Sequence, residues 1–385
     1  MKLRFVIPAL LPAFFAMAAE VKLPPPFHTP SANNRPRVIP PPSGAQLRVP
    51  AGFKVEPFAE GFERPRIMIY GPGGEILLSD SVKGGSVHVL RPEPRKKLIE
   101  NLDRPYGMAF WKEYLYVAET TSVKRYKYDS KALSVGKGEE VVSLKDFGEG
   151  HWTRAILFDK AGKKMYVTVG SQSNVSPGEH PMRAAINRFD PDGKNHEIFA
   201  TGVRNVTQIR WLPGTETLFA AVQERDALGD DLVPDYFTHI EQGKFYGWPY
   251  SYIGPNEDPR NKGMKPDLVK STVVPDLPLG AHVAVLDFIF YNGKQFPKEF
   301  QGGAFLAFHG SWNRAARVGQ SIVHVPMKNG RPAGPPKDFL TGWMLGPDKQ
   351  EVWGRPVGLL QMKDGSLLVS DDGGNKIWHI SYTGK

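Results

Sequence analysis

Two features of this 385-residue chain combine residue types that do chemistry. Arg64, Arg104 and Arg355 each stand directly before proline at one position of a recurring phrase, and His151 and Arg204 fall within a residue or so of it. Arginines gathered round one mouth suit a polycarboxylate or phosphate ligand, which they grip by paired, charge-assisted hydrogen bonds. Each arginine has a plainer use as well, capping a turn or pairing with an acid such as Glu63 or Asp103. His151 lies between Gly148-Glu149-Gly150 and Trp152-Thr153-Arg154, at the same mouth by repeat position, where a neutral imidazole can serve as general base. The chain has 10 histidines but no His-x-His or His-x-x-x-His pair, which speaks against a histidine-built zinc site. His282 either lines the substrate side or packs as a structural residue. Trp152, Trp312, Trp353, Tyr106 and Tyr246 offer flat walls for a cofactor or sugar, although most aromatics of a β fold are core.

Positioning such residues round one opening needs a repeated scaffold, and the sequence contains one. From Phe53 onward a phrase recurs: Arg-Pro or a relative, a short apolar strand, a glycine hairpin, an aliphatic strand, then a third strand. Its second strands read as Ile76–Ser79, Leu115–Ala118, Met165–Val169, Leu218–Val222, Ala304–Phe308 and Leu367–Ser370, which makes six units. A small antiparallel sheet cannot bury both faces alone, so radial stacking into an all-β, six-bladed β-propeller of four-stranded antiparallel blades is expected over residues 51–385. Phe53–Phe58 has no partners before it and is expected to complete the last blade as its outer strand, leaving no open edge. Long insertions around Pro181, Asp226–Asp235 and Pro249–Pro278 are where function is expected on a rigid frame.

Composition agrees. Gly 40 and Pro 35 disfavour a helical bundle, while 41% hydrophobic and 11% aromatic residues allow a large core. The absence of Cys excludes disulfides, thiolate metal sites and covalently attached c-type haem. A net charge of +9 points to an anionic partner, but Lys and Arg are scattered, so no nucleic acid is expected. Lys2 and Arg4 precede an apolar run ending at Ala16-Met17-Ala18, which reads as a signal peptide over residues 1–19. No stable membrane insertion and a periplasmic or secreted destination follow. Residues 20–50 are a proline-rich leader with no catalytic role expected.

Gly202-Val-Arg-Asn205, Gly243-Lys-Phe-Tyr-Gly-Trp-Pro249, His309-Gly-Ser-Trp-Asn-Arg314 and His151 ahead of Met165-Tyr-Val-Thr-Val-Gly170 resemble the soluble quinoprotein glucose dehydrogenase and sorbosone dehydrogenase family. The resemblance runs from about Phe53 to Tyr382. It implies a calcium-dependent dehydrogenase with pyrroloquinoline quinone (PQQ), oxidising a sugar, sugar aldehyde or related alcohol. His151 then matches the catalytic base. Arg204 and Asn205 match the pair holding a carboxylate and a carbonyl oxygen of the quinone, and Arg314 and Arg355 match further cofactor contacts. Ca²⁺ would sit on the backbone carbonyls of Asp226 and Ala227, where the family has Gly-Pro, with the Asp226 and Glu224 carboxylates as extra oxygen donors; the same run also reads as an ion pair with Arg225. His282 and Trp353 would face the substrate. Electrons would pass to a separate acceptor, a cytochrome or quinone pathway. Two other functions share the scaffold: a calcium-dependent lactonase-like hydrolase, and a non-catalytic exported propeller binding glycan or protein.

Overall fold

The computed structural model describes residues 22–384, so the expected signal segment at 1–19 lies outside the described residues. Among the described residues six antiparallel blade sheets follow one another along the chain, five of four strands and the second of four with the short strand Ser134–Val135 added at its edge. The first blade is Pro65–Tyr70, Ile76–Asp80, Lys83–Arg91 and Lys96–Asp103; the fourth is Asn205–Trp211, Leu218–Gln223, Pro234–Ile240 and Leu277–Ala281. The innermost strands touch their neighbours in ring order, and the sixth, Pro356–Gln361, returns to the first. The protein is a six-bladed β-propeller.

The second strands explain why the sequence commits to this shape. Met165–Val169, Ala304–Phe308 and Leu367–Asp371 are buried along their whole length, because each is covered on both faces by adjacent blades. Such strands read as continuous apolar runs rather than alternating ones. The sixth blade is closed from the front of the chain: Phe53–Glu60 pairs antiparallel with Lys376–Tyr382, from Phe53 opposite Tyr382 to Glu60 opposite Lys376. Phe53 seats its ring edge-on against Phe296, Phe300 and Phe339, at centroid separations of 4.7, 5.5 and 5.0 Å.

The largest excursion leaves the fourth blade after Ile240 and returns at Leu277, carrying a two-stranded hairpin, Ser251–Tyr252 with Asn256–Glu257, and the short helix Pro266–Lys270. The described part of the leader runs over the body. Arg37–Val38 pairs in parallel with Glu351–Val352, and further back the Phe27 N–H donates to the Leu228 carbonyl and the Asn34 N–H to that of Trp312. Among the described residues no helix is long and apolar enough to cross a membrane.

Candidate active site

First and second strands of a blade run antiparallel, so the start of one and the end of the other open on the same face. At that face His151 precedes the third blade's first strand, Arg204 and Asn205 open the fourth, and Glu224 and Asp226 follow its second strand. Together with residues from the first, fifth and sixth blades they line a cavity of about 300 Å³. Tyr106 lies fully buried and reaches from the second blade to the fifth, donating its hydroxyl to the Leu286 carbonyl at 3.2 Å.

His151 has a fixed tautomer. Its Nδ1 lies 2.8 Å from the Ser171 carbonyl, which can only accept, so Nδ1 carries the proton and Nε2 keeps its lone pair. Burial, helped by the Arg204 charge, takes this imidazole down to about 3, so it is neutral at ordinary pH. Gly170 makes the approach possible: a Cβ there would stand 2.6 Å from both the His151 Cβ and the Asn205 Oδ1. Arg204 donates from Nη1 to the Glu224 carbonyl at 2.7 Å and from Nε to the Asn174 carbonyl at 3.1 Å, with the Asp226 carboxylate 3.7 Å away. Asn205 donates to Gln223 Oε1 at 3.0 Å, and its own Oδ1 is buried without a partner.

A second group closes the opposite wall. Arg66 reaches Asp372 at 2.5 Å, and Asp372 also accepts from His309 Nε2 at 2.8 Å. Arg355 donates from Nε to the His309 carbonyl at 3.2 Å and from Nη2 to that of Gly310. Burial and the Arg355 charge lower His309 to about 4, so it too is neutral. The Arg66 Nε is buried and unpartnered. Three guanidiniums, Arg66, Arg204 and Arg355, therefore line one cavity.

The acids divide by environment. Burial lifts Glu224 to about 8, leaving it protonated at neutral pH with an unpartnered Oε1, and burial likewise raises Asp235. For Asp226 the burial penalty is outweighed by His282 and Arg204, which hold it below the usual carboxylate range. His282, whose Nδ1 lies 3.5 Å from Asp226, is raised: burial pulls it down, but Asp226 and the Gly229 carbonyl outweigh that.

Of the residues singled out in the sequence, the cavity collects His151, Arg204, Asn205, Arg355, Asp226 and His282. It does not collect Arg314, which donates to the Asp230 carbonyl at 2.6 Å and pairs with Asp231 at 2.8 Å. Trp353 is 4% exposed, donates to the Gly342 carbonyl and packs with Trp343 and Trp378; it is a core residue, not a substrate wall. Arg104 pairs with Asp103 and lies over Trp152. The Asp226 and Ala227 carbonyls do not form a free cation site. The Asp226 oxygen already accepts from Arg225 Nε at 3.0 Å, Arg225 Nη2 at 2.8 Å and Asn174 Nδ2 at 2.9 Å. Sequence reasoning does not find Arg66 and His309. Arg66 follows the repeated Arg64-Pro65 by one residue and His309 opens the run that ends at Arg314, but nothing local places either in a cavity.

The family model described as TrAA12-like matches residues 47–234 and 267–383. An uncharacterized protein of Borreliella burgdorferi is 33% identical over 87% of this chain and 91% of its own length. A pyrroloquinoline quinone-dependent pyranose dehydrogenase of Coprinopsis cinerea is 23% identical over 87% of this chain, which spans only 54% of that enzyme. Among solved structures, a Trichoderma reesei member of Carbohydrate-Active Enzymes Family AA12, in a calcium form, superposes with a TM-score of 0.75 at 21% identity, covering 91% of this chain and 99% of that one. The holo PQQ domain of the Coprinopsis cinerea pyranose dehydrogenase gives 0.74 at 20% identity, covering 90% and 99%. At these identities the structures attest the fold.

Proposed function

The chain belongs to the TrAA12-like family, and from that premise we propose that it is a PQQ-dependent dehydrogenase oxidising a sugar, sugar aldehyde or related alcohol. The observation that carries this reading is the pairing, in one cavity, of three arginines with a histidine whose Nε2 is a free base. PQQ carries three carboxylates, and Arg66, Arg204 and Arg355 would hold them as charge-assisted partners. The unpartnered Arg66 Nε is a buried donor in want of an acceptor, which a quinone carboxylate would supply. The residues present therefore fit the quinone.

When bound, PQQ supplies the hydride acceptor. The chain does the rest. His151, locked by Ser171, takes the hydroxyl proton of the substrate at Nε2 as the C–H bond is broken, and Tyr106 closes the channel beneath the cavity. Trp152 and Trp312 give the cavity two flat apolar walls against which a ring can lie. His282 has both ring nitrogens engaged, Nδ1 toward Asp226 and Nε2 on the Gly229 carbonyl, so it braces the Asp226 wall of the cavity rather than donating to substrate. The Asp226–Ala227 carbonyls do not fit a calcium ion, because the Asp226 oxygen is already occupied by Arg225 and Asn174. The enzyme acts outside the cytoplasm and passes electrons to a separate acceptor.

The test is dye reduction by the purified protein with PQQ, with and without Ca²⁺, over aldoses, sorbosone and simple alcohols. Turnover that needs PQQ and falls by about 10²–10⁴-fold in His151→Ala, with quinone still bound, is expected. Absence of quinone binding, or lactone hydrolysis without it, would overturn the proposal.

A further inference from the structure

The run Gln223-Glu224-Arg225-Asp226 contains a cation of its own, and its placement is unusual. Arg225 is 1% exposed and turns back on its own loop. Its Nε and Nη2 both donate to the Asp226 carbonyl, Nη2 also approaches the Ala227 carbonyl at 3.5 Å, and Nη1 makes a 2.6 Å ion pair with Asp258. Asp258, itself 1% exposed, comes from the excursion between the third and fourth strands of the fourth blade, and its other oxygen accepts the Arg260 N–H at 2.9 Å. The rest of the loop is bound as tightly. The Asp226 N–H donates to Asn174 Oδ1 at 2.9 Å and the Ala227 N–H to Asn313 Oδ1 at 2.7 Å. Ala227 is held at φ +68°, a conformation that a side chain adopts only when its surroundings impose it.

We infer that Arg225, anchored by Asp258, takes the structural place of a divalent cation at the Asp226 and Ala227 carbonyls, so that this propeller builds its quinone cavity without calcium there. The argument is one of coordination and charge. A carbonyl oxygen has two lone pairs, and that of Asp226 already meets three N–H donors. A calcium ion needs six to eight oxygen ligands, and to use this one it would have to displace a guanidinium whose own carboxylate partner would be left buried and uncompensated. The guanidinium supplies the positive charge that fixes the loop, and it does so covalently, at no cost in ion binding.

Two measurements decide the matter. PQQ affinity is read from quenching of the tryptophan fluorescence, since Trp152 and Trp312 line the cavity, in excess EDTA and in millimolar CaCl₂. Affinity within about twofold in the two buffers is expected; a loss of tenfold or more in EDTA, restored by calcium, would overturn the inference. CaCl₂ is then titrated into the cofactor-free protein and melting followed. The wild type should not respond, while the charge-neutral pair Arg225→Met with Asp258→Asn, which frees the carbonyls without stranding a carboxylate, should gain a calcium-dependent rise in Tm. A saturable, stoichiometric calcium response in the wild type and none in the double variant would overturn it. This inference rests on the quinone reading only for the first measurement: failure of PQQ to bind in either buffer would sink the dehydrogenase proposal, and the calcium titration would still decide between guanidinium and metal.

Discussion

Burial lifts the Glu224 carboxyl to about 8 against the pull of Arg204 and of the Arg225 amide, so the folded protein holds a proton that the unfolded chain releases near 4.5. Between those two values the unfolded state gains by ionising and the folded state does not. The contribution of Glu224 to stability is therefore complete below about pH 4.5 and is lost as pH rises toward 8. Glu224→Gln keeps the shape and removes the slope. Melting of the two proteins should agree near pH 5, and at pH 9 the variant should melt several degrees higher, on the order of a few kcal/mol for a fully buried group; equal melting at pH 9 would place the carboxyl in a wetter setting. His151 and His309 act in the opposite sense. Both are lowered, to about 3 and about 4, so their contribution is present above the ordinary 6.5 and is lost as pH falls through the acid range. His151 is legible in the sequence because glycines and a repeat position single it out. His309 is not, since its meaning depends on Asp372, 63 residues further on in the next blade.

The elements are easier to read than the contacts between them. Each second strand is an aliphatic run set off by glycine turns, and covering on both faces keeps that signal clean; the expected Met165–Val169 and Ala304–Phe308 are the observed strands residue for residue. Loops carry no such period, so Arg314 and Trp353, which similarity of local sequence assigns to the site, serve Asp230–Asp231 and the core instead. The Arg225–Asp258 pair is hidden for the same reason, its halves lying in two different loops of the fourth blade, one before and one after the strand Pro234–Ile240. The leader shows how loops are bound once the fold is made. Asn313, 1% exposed, accepts from the Ala227 N–H and donates to the Ala32 carbonyl at 2.7 Å, while Arg317 donates to both the carbonyl and Oδ1 of Asn34. One side chain thus ties the leader to the wall of the cavity. Asn313→Ala leaves a part-buried N–H and a part-buried carbonyl without this partner, at about 0.5–1.5 kcal/mol each. Limited trypsin digestion should then cut faster at Arg37, before Val38, by tenfold or more, and PQQ affinity should fall, while the blades melt almost as before. Unchanged cutting would mean that the leader holds without this tie.

At the scale of the molecule the ring is closed by a strand from one end of the chain lying on a strand from the other, and the cavity spans that closure. Arg66 belongs to the first blade and Asp372 to the sixth, and the Ser370 hydroxyl donates to the Arg66 carbonyl at 2.6 Å. Anything that loosens the sixth blade therefore loosens one wall of the quinone site, and anything that clamps the wall resists opening of the ring. Phe53 is the apolar lock of the closing strand, with Phe296, Phe300, Phe339 and Tyr382 around it. Phe53→Ala should cost about 2–4 kcal/mol, somewhat below a fully buried phenylalanine because its ring is only partly covered. If closure is cooperative the whole melt shifts down as one transition, rather than a small early step appearing beside an unchanged main one. Quinone at a hundred times its Kd should then return about 2.7 kcal/mol, because it binds only the closed ring. A variant that melts in two steps, with the main step still raised by quinone to the wild-type value, would show instead that the first five blades and the cavity stand without the lock.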